Sequence, residues 1–166
     1  MFMETYKKER NQNDFTYYID WSGFNVPGYV FDPFFCGFFN PLIQCEKNLL
    51  EIVNPYRGSR YYVIGTSEGT DIETLEHELS HALWYTNSEY KTKQLENLSE
   101  IDSSLKDDIK KHLLEIGYCN EVLDDELHAY ITAWDGHLSK HLGLTFEQLE
   151  RHISKMHDTF KSYSNF

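Results

Sequence analysis

Residues 71–87 constrain this chain more than any other stretch. Ile72, Leu75, Leu79, Ala82 and Leu83 recur at helical spacing. They gather within about 140–240° on a wheel that starts at His77. On that wheel His81 falls near 40° and Glu78 near 100°, by roughly 100° per residue. The apolar stripe anchors the helix, so both imidazoles must face away from the core that the stripe helps to build. A histidine serving only as core filler would sit on the opposite side. Thr70 and Glu73 have the spacing of a capping box, which predicts a helix start at Asp71.

The same helix carries His77-Glu78-Leu79-Ser80-His81, an HExxH pattern. Imidazoles four residues apart lie one above the other and can share a single ion, while the intervening Glu stands beside it as a proton acceptor. Neutral imidazole suits zinc, and a catalytic zinc keeps one position open for water. A random ordering of this composition produces HExxH about 4 % of the time, so the helix orientation carries more weight than the motif alone.

A zinc bound by two histidines needs a third protein ligand. The region after His81 holds Trp84, Tyr85, Asn87 and Ser88 rather than a further histidine. A carboxylate on a later helix is then expected, and 120–130 offers two. Val122, Leu123, Ala129, Tyr130 and Ala133 lie within about 60° of Glu126 on a helical wheel. Glu121 shares its side with Asp124, Asp125, His128, Thr132 and Asp135 instead. A carboxylate set in an apolar face must be paired or bound to metal, because burying an unpaired charge is costly. Glu126 is therefore the expected ligand, with a buried ion pair as its structural alternative. Glu121 stands second.

The rest of the chain reads as one domain over its 166 residues, within the usual size of a folding unit. Residues 1–40 are rich in aromatics and broken by Gly and Pro, which predicts short strands and turns over 15–40. Residues 41–166 read as a mainly helical body. Helices are expected over 41–54, with Pro41 in the first turn, and over 71–87, 89–98 and 105–116. Two more are expected over 121–134, stopped by Gly136, and over 146–163 behind a Thr145-x-x-Gln148 cap. RYYVIGT (60–66) reads as a strand. The fold class is α+β.

A formal charge of −12 argues against a nucleic-acid partner, since phosphate binding needs clustered Lys and Arg. The most apolar stretch, 26–43, is interrupted by Pro27, Asp32, Pro33, Asn40 and Pro41, so no membrane helix is expected. With no apolar leader in view, a cytoplasmic setting is expected. Cys36, Cys45 and Cys119 show no metal-binding spacing and suit reduced thiols. Cys36 is expected to be a buried thiol rather than a blocking ligand for the zinc. His137 and His141 are spaced as a further metal pair but are expected at the surface. His112, His128, His152 and His157 are expected to be solvated. Trp84 and Tyr85 are expected to pack on the next helix rather than line a cleft.

HELSH on this helix, the strand before it and Glu126-Leu127-His128-Ala129 well downstream together resemble the gluzincin zinc metallopeptidases. The chain is most similar to their small members, the minigluzincins, over about residues 60–134. The resemblance implies a zincin-like metalloprotease domain with His77, His81 and Glu126 as zinc ligands and Glu78 as general base. It also implies an edge strand before the HExxH helix that aligns an extended peptide or protein substrate by β-augmentation. Many gluzincins carry Asp four residues after the ligand Glu; Tyr130 stands there in this chain. The register of Glu121 with Asp125 restores that Asp but returns the ligand to the polar face. Tyr130 lies one turn from Glu126 and is the expected oxyanion donor, with core packing as its other role. A metal-binding interaction module without turnover uses the same ligands, and a metal-free helical protein needs none of them.

Overall fold

The computed structural model describes residues 23–66, 69–134 and 136–164, together with Lys8, Asn11 and Asn13. The part of the expected strand-and-turn region before residue 23 lies outside the described residues. The chain is mainly helical with a two-stranded antiparallel sheet, an α+β arrangement. Strand β1 (Gly23–Pro27) pairs with β2 (Tyr62–Thr66) in a register that sets Asn25 opposite Ile64 and Pro27 opposite Tyr62.

A 3-10 turn (Gly28–Phe31), one helical turn (Asp32–Phe35), α1 (Gln44–Val53) and a second 3-10 turn (Asn54–Tyr56) join the strands. Gly28 permits this crossover to close. Its N–H donates to the Tyr61 carbonyl at 2.8 Å, and a Cβ there would meet the Tyr61 ring at 2.3 Å. Helix α1 starts at Gln44, later than expected, because the Ile43 N–H donates to the Glu46 carboxylate at 2.8 Å. Pro41 therefore precedes the helix and does not open it.

After β2 come α2 (Ile72–Thr86), α3 (Ser88–Ser99), α4 (Ser103–Glu115), a 3-10 turn (Asn120–Val122), α5 (Leu123–Thr132), α6 (His137–Leu142) and α7 (Phe146–Ser164). The starts of α2, α3, α4 and α7 are capped by polar side chains, which satisfy backbone donors that a helix leaves open, whereas α5 and α6 begin after Val122 and at Gly136 without such a cap. The cap of α2 is Asp71, whose Oδ1 accepts from the Thr74 N–H at 2.7 Å. It replaces the expected Thr70–Glu73 box. Asn87 and Asp102 cap α3 and α4 in the same way. Thr145 and Gln148 form the box predicted for α7, with the Thr145 N–H donating to Gln148 Oε1 at 2.7 Å.

Helix α5 packs against α2, α3, α4 and α7. Its Leu127, Ala129 and Ile131 are fully buried, and α7 closes the layer with Leu149, Ile153, Met156 and Phe160 at helical spacing. Gln94 of α3 lies inside this core. Its amide donates to the Met156 carbonyl at 3.0 Å and to the Tyr90 hydroxyl at 3.1 Å, so a buried polar group is satisfied across α3 and α7. Gly136 begins a helix instead of ending one. It has φ 81°, Gly143 has φ 66°, and the two left-handed glycines bracket the short α6. Among the described residues, no helix is long and apolar enough to cross a membrane. Cys36, Cys45 and Cys119 are free and exposed. Cys36 thus differs from its expected burial because it ends the exposed turn after Asp32–Phe35.

Candidate metal centre

Helix α2 stacks His77 and His81 one turn apart, with their Nε2 atoms 3.2 Å from each other. Glu126 comes up from α5, its Oε2 standing 3.6 Å from His81 Nε2 and 3.8 Å from His77 Nε2. One donor atom from each residue lies within 4.8 Å of the other two. Donors about 2.0–2.2 Å from a tetrahedral zinc are themselves roughly 3.3–3.6 Å apart, and the observed sides of 3.2, 3.6 and 3.8 Å lie close to that size. Glu121 stays away from this group, exposed on the 3-10 turn before α5.

Burial makes the triangle chemically demanding. The side chains of His81, Glu126 and His77 are only 3 %, 13 % and 15 % exposed. Glu126 Oε2 is buried and accepts no hydrogen bond. An ionised oxygen shielded from water needs a cation or a donor. A divalent ion between the two imidazoles and this oxygen meets that need, so the residues fit a zinc.

Asp125, the neighbour of Glu126, reaches the back of the same ring. His81 Nδ1–H donates to Asp125 Oδ1 at 2.8 Å. That bond fixes the tautomer and leaves the Nε2 lone pair facing His77 and Glu126, as a metal ligand must. Burial pulls the His81 imidazole down, but the Asp125 bond and the charges of Asp125, Glu126 and Glu78 outweigh it and hold the group above its ordinary value. Burial pushes Asp125 up, yet the bonds from His128 and His81 win and lower it.

His128 differs most from expectation. It is fully buried rather than solvated. Its Nδ1–H donates to the Asp125 carbonyl at 2.7 Å, and its Nε2 accepts from the Tyr90 hydroxyl at 2.9 Å. Burial lowers its pKa. Trp84 stacks on it with ring centroids 4.6 Å apart, which places Trp84 in the core. Tyr85 turns the other way, toward Tyr29, Tyr62 and Arg60. His112 is also buried, at 8 % exposure, instead of solvated. It stands where α4 meets α6, a helix that the sequence pattern did not predict.

The sheet reaches the acid beside the ligands. Asn25 of β1 donates its side-chain N–H to Glu78 Oε2, while Tyr62 of β2 donates to Asn25 Oδ1 at 2.5 Å. Burial and the nearby charges of Asp125, Glu78 and Glu126 push the Tyr62 phenol well above the usual range. On the other side, the Tyr130 ring lies edge-on to His77 at 4.7 Å. Its hydroxyl is 3.4 Å from that of Tyr118. Burial and the charge of Glu126 push the Tyr118 phenol strongly upward.

The structure therefore brings together His77, His81 and Glu126, sets Glu78 next to them in sequence on α2, and stands Tyr130 against His77. Asn25, Tyr62 and Tyr118 were missed, and Asp125 was given a supporting role only beside Glu121, not beside Glu126. Tyr62 was findable as a polar-tipped residue of the predicted strand; Asn25 and Tyr118 lie in segments without a motif. The chain matches no protein-family profile, no curated protein and no solved structure.

Proposed function

We propose that this chain is a zinc-dependent peptidase of the gluzincin type, in a zincin-like domain, acting on peptide or protein substrates. The observation that carries the proposal is the buried Glu126 oxygen, without a hydrogen bond, closing a triangle with His77 Nε2 and His81 Nε2. In this reading Asp125 supports His81 from the residue before the ligand, in place of the Asp that many gluzincins carry four residues after it.

A zinc held by His77, His81 and Glu126 would supply a Lewis acid that polarises a carbonyl and makes water more acidic. Glu78 accepts the proton of the attacking water and delivers it to the leaving amine. Tyr130 donates to the developing oxyanion, with Tyr118 within reach of its hydroxyl. The high pKa of the Tyr118 phenol keeps that neighbour protonated and able to donate. Strand β2 has β1 on one edge, and β1 brings Asn25 onto Glu78. An extended substrate must share that approach with Asn25.

The Asn25 bond also favours a second reading, a metal-binding interaction module without turnover, because it occupies one oxygen of the proposed base. Digestion of a broad peptide library by the zinc-loaded chain separates the two. Peptidase action predicts cleavage that Glu78→Gln reduces by about 10²–10⁴-fold while bound zinc is unchanged. No cleavage by the wild type leaves the binding module; undiminished cleavage by Glu78→Gln removes Glu78 from the mechanism.

A further inference from the structure

A line of buried hydrogen bonds runs into the metal centre from the far side of the core. Gln94 of α3 donates its amide to the Tyr90 hydroxyl oxygen at 3.1 Å, and that hydroxyl donates to His128 Nε2 at 2.9 Å. His128 Nδ1–H donates to the Asp125 carbonyl at 2.7 Å and stands 3.4 Å from Asp125 Oδ1. The same Oδ1 accepts from His81 Nδ1–H at 2.8 Å. Every bond from Gln94 onward points one way and ends on Asp125. Gln94, Tyr90 and His128 are fully buried.

Core packing does not require this line. Burying a phenol and an imidazole costs desolvation that apolar side chains of similar volume avoid, and each polar atom must then be satisfied. The Trp84 ring, stacked on His128 at 4.6 Å, would pack as well against an apolar ring. The orientation of His128 is also set. Its Nδ1–H is committed to Asp125, so Nε2 carries a lone pair, and the Tyr90 hydroxyl meets it.

We propose that Tyr90 and His128 are positioning residues of the metal centre, acting on His81 through Asp125. The Tyr90 hydroxyl fixes the rotation of the His128 ring, and that ring holds the first turn of α5 at Asp125. The Asp125 carboxylate then holds His81 with Nε2 toward His77 and Glu126. Helix α3 thereby bears on a centre to which it gives no ligand. The proposal rests on the zinc centre of the preceding section and not on its peptidase chemistry.

Zinc dissociation constants of the full chain are measured by chelator competition, beside melting temperatures of the metal-free proteins. Wild type, Tyr90→Phe, Asp125→Asn, the Tyr90→Phe/Asp125→Asn double variant and His128→Asn are compared. Tyr90→Phe keeps the ring and removes only the hydroxyl. It should weaken zinc by about three- to tenfold, less than the roughly 10–100-fold expected for a partner bonded directly to a ligand. Because Tyr90 acts through Asp125, the same change in the Asp125→Asn background should cost less than about twofold. His128→Asn keeps a donor near the Asp125 carbonyl but falls short of Tyr90, so it should match Tyr90→Phe and keeps the test valid where that variant does not fold. Lower melting temperatures with unchanged zinc affinity would make the line a core scaffold and overturn the proposal while leaving the centre. Equal losses with and without Asp125→Asn would overturn it as well. A wild type that holds no zinc removes the centre and the proposal together.

Discussion

Asp125 and Glu126 are consecutive, so on α5 their side chains diverge by about 100°, yet both meet His81. The ring lies between them: Nδ1 faces Asp125 and Nε2 faces Glu126. The division of labour follows from charge and burial. Glu126 presents an oxygen without a hydrogen bond toward the histidine pair, whereas Asp125 already has its donor. Asp125→Asn should therefore weaken zinc by about 10–100-fold while leaving the three ligands in place. Glu126→Gln should weaken it further at that site, and Glu121→Gln should have no effect. Competition with a chromophoric chelator measures all three, and equal losses in Glu121→Gln and Glu126→Gln would defeat the assignment. The cluster of His77, His81 and Glu126 was legible because helical periodicity separates a polar face from an apolar one. That Asp125 stands beside Glu126, and not beside Glu121, in that role was hidden for the same reason. A wheel assigns each residue to one side, but a ring wedged against α5 draws partners from both flanks.

Helix α2 depends on the cap that begins it. The Thr74 N–H hydrogen bond holds the Asp71 carboxyl below its ordinary value of 3.8, and the Asp102 cap of α4 is lowered in the same way by Ser104 and Leu105. A carboxylate whose folded pKa is depressed contributes stability above its unfolded pKa. That contribution is lost as pH falls through the folded value. Asp71→Ala should lower the melting temperature at pH 7, and the gap between variant and wild type should narrow below about pH 4. Thermal melts at both pH values check this; a gap constant with pH would mean that the carboxylate charge plays no part. Caps and apolar periodicity also explain why α3, α4 and α7 were placed within a few residues from sequence. Helix α6 was not, because Gly136 reads equally as a stop or as the left-handed entry to a new turn. Only α4 packing beside it decides. The burial of His112 and His128 followed from that packing and from Tyr90, neither visible in local pattern.

At the scale of the whole molecule, the proposed centre joins α2 to α5, elements far apart in sequence that the folded chain packs together. The unfolded chain holds the same side chains without bringing them to one point, so zinc binding favours the native state. Free zinc at 100 times its dissociation constant should stabilise the fold by about 2.7 kcal/mol for one site. For a domain of this size that corresponds to a rise of roughly 5–11 °C in melting temperature. Chelator should reverse the rise, and Glu126→Gln should reduce it by removing the link from α5 while leaving α2 and its core stripe intact. In the metal-free chain the charge of Glu126 helps to hold the His81 imidazole above its ordinary value, so its loss should lower the metal-free melting temperature whether or not the carboxylate binds a metal, and the ligand is identified by the rise that zinc produces. Differential scanning calorimetry on both proteins, with and without zinc, measures it: a Glu126→Gln whose rise with zinc equals that of wild type would make the carboxylate a scaffold ion pair and not a ligand.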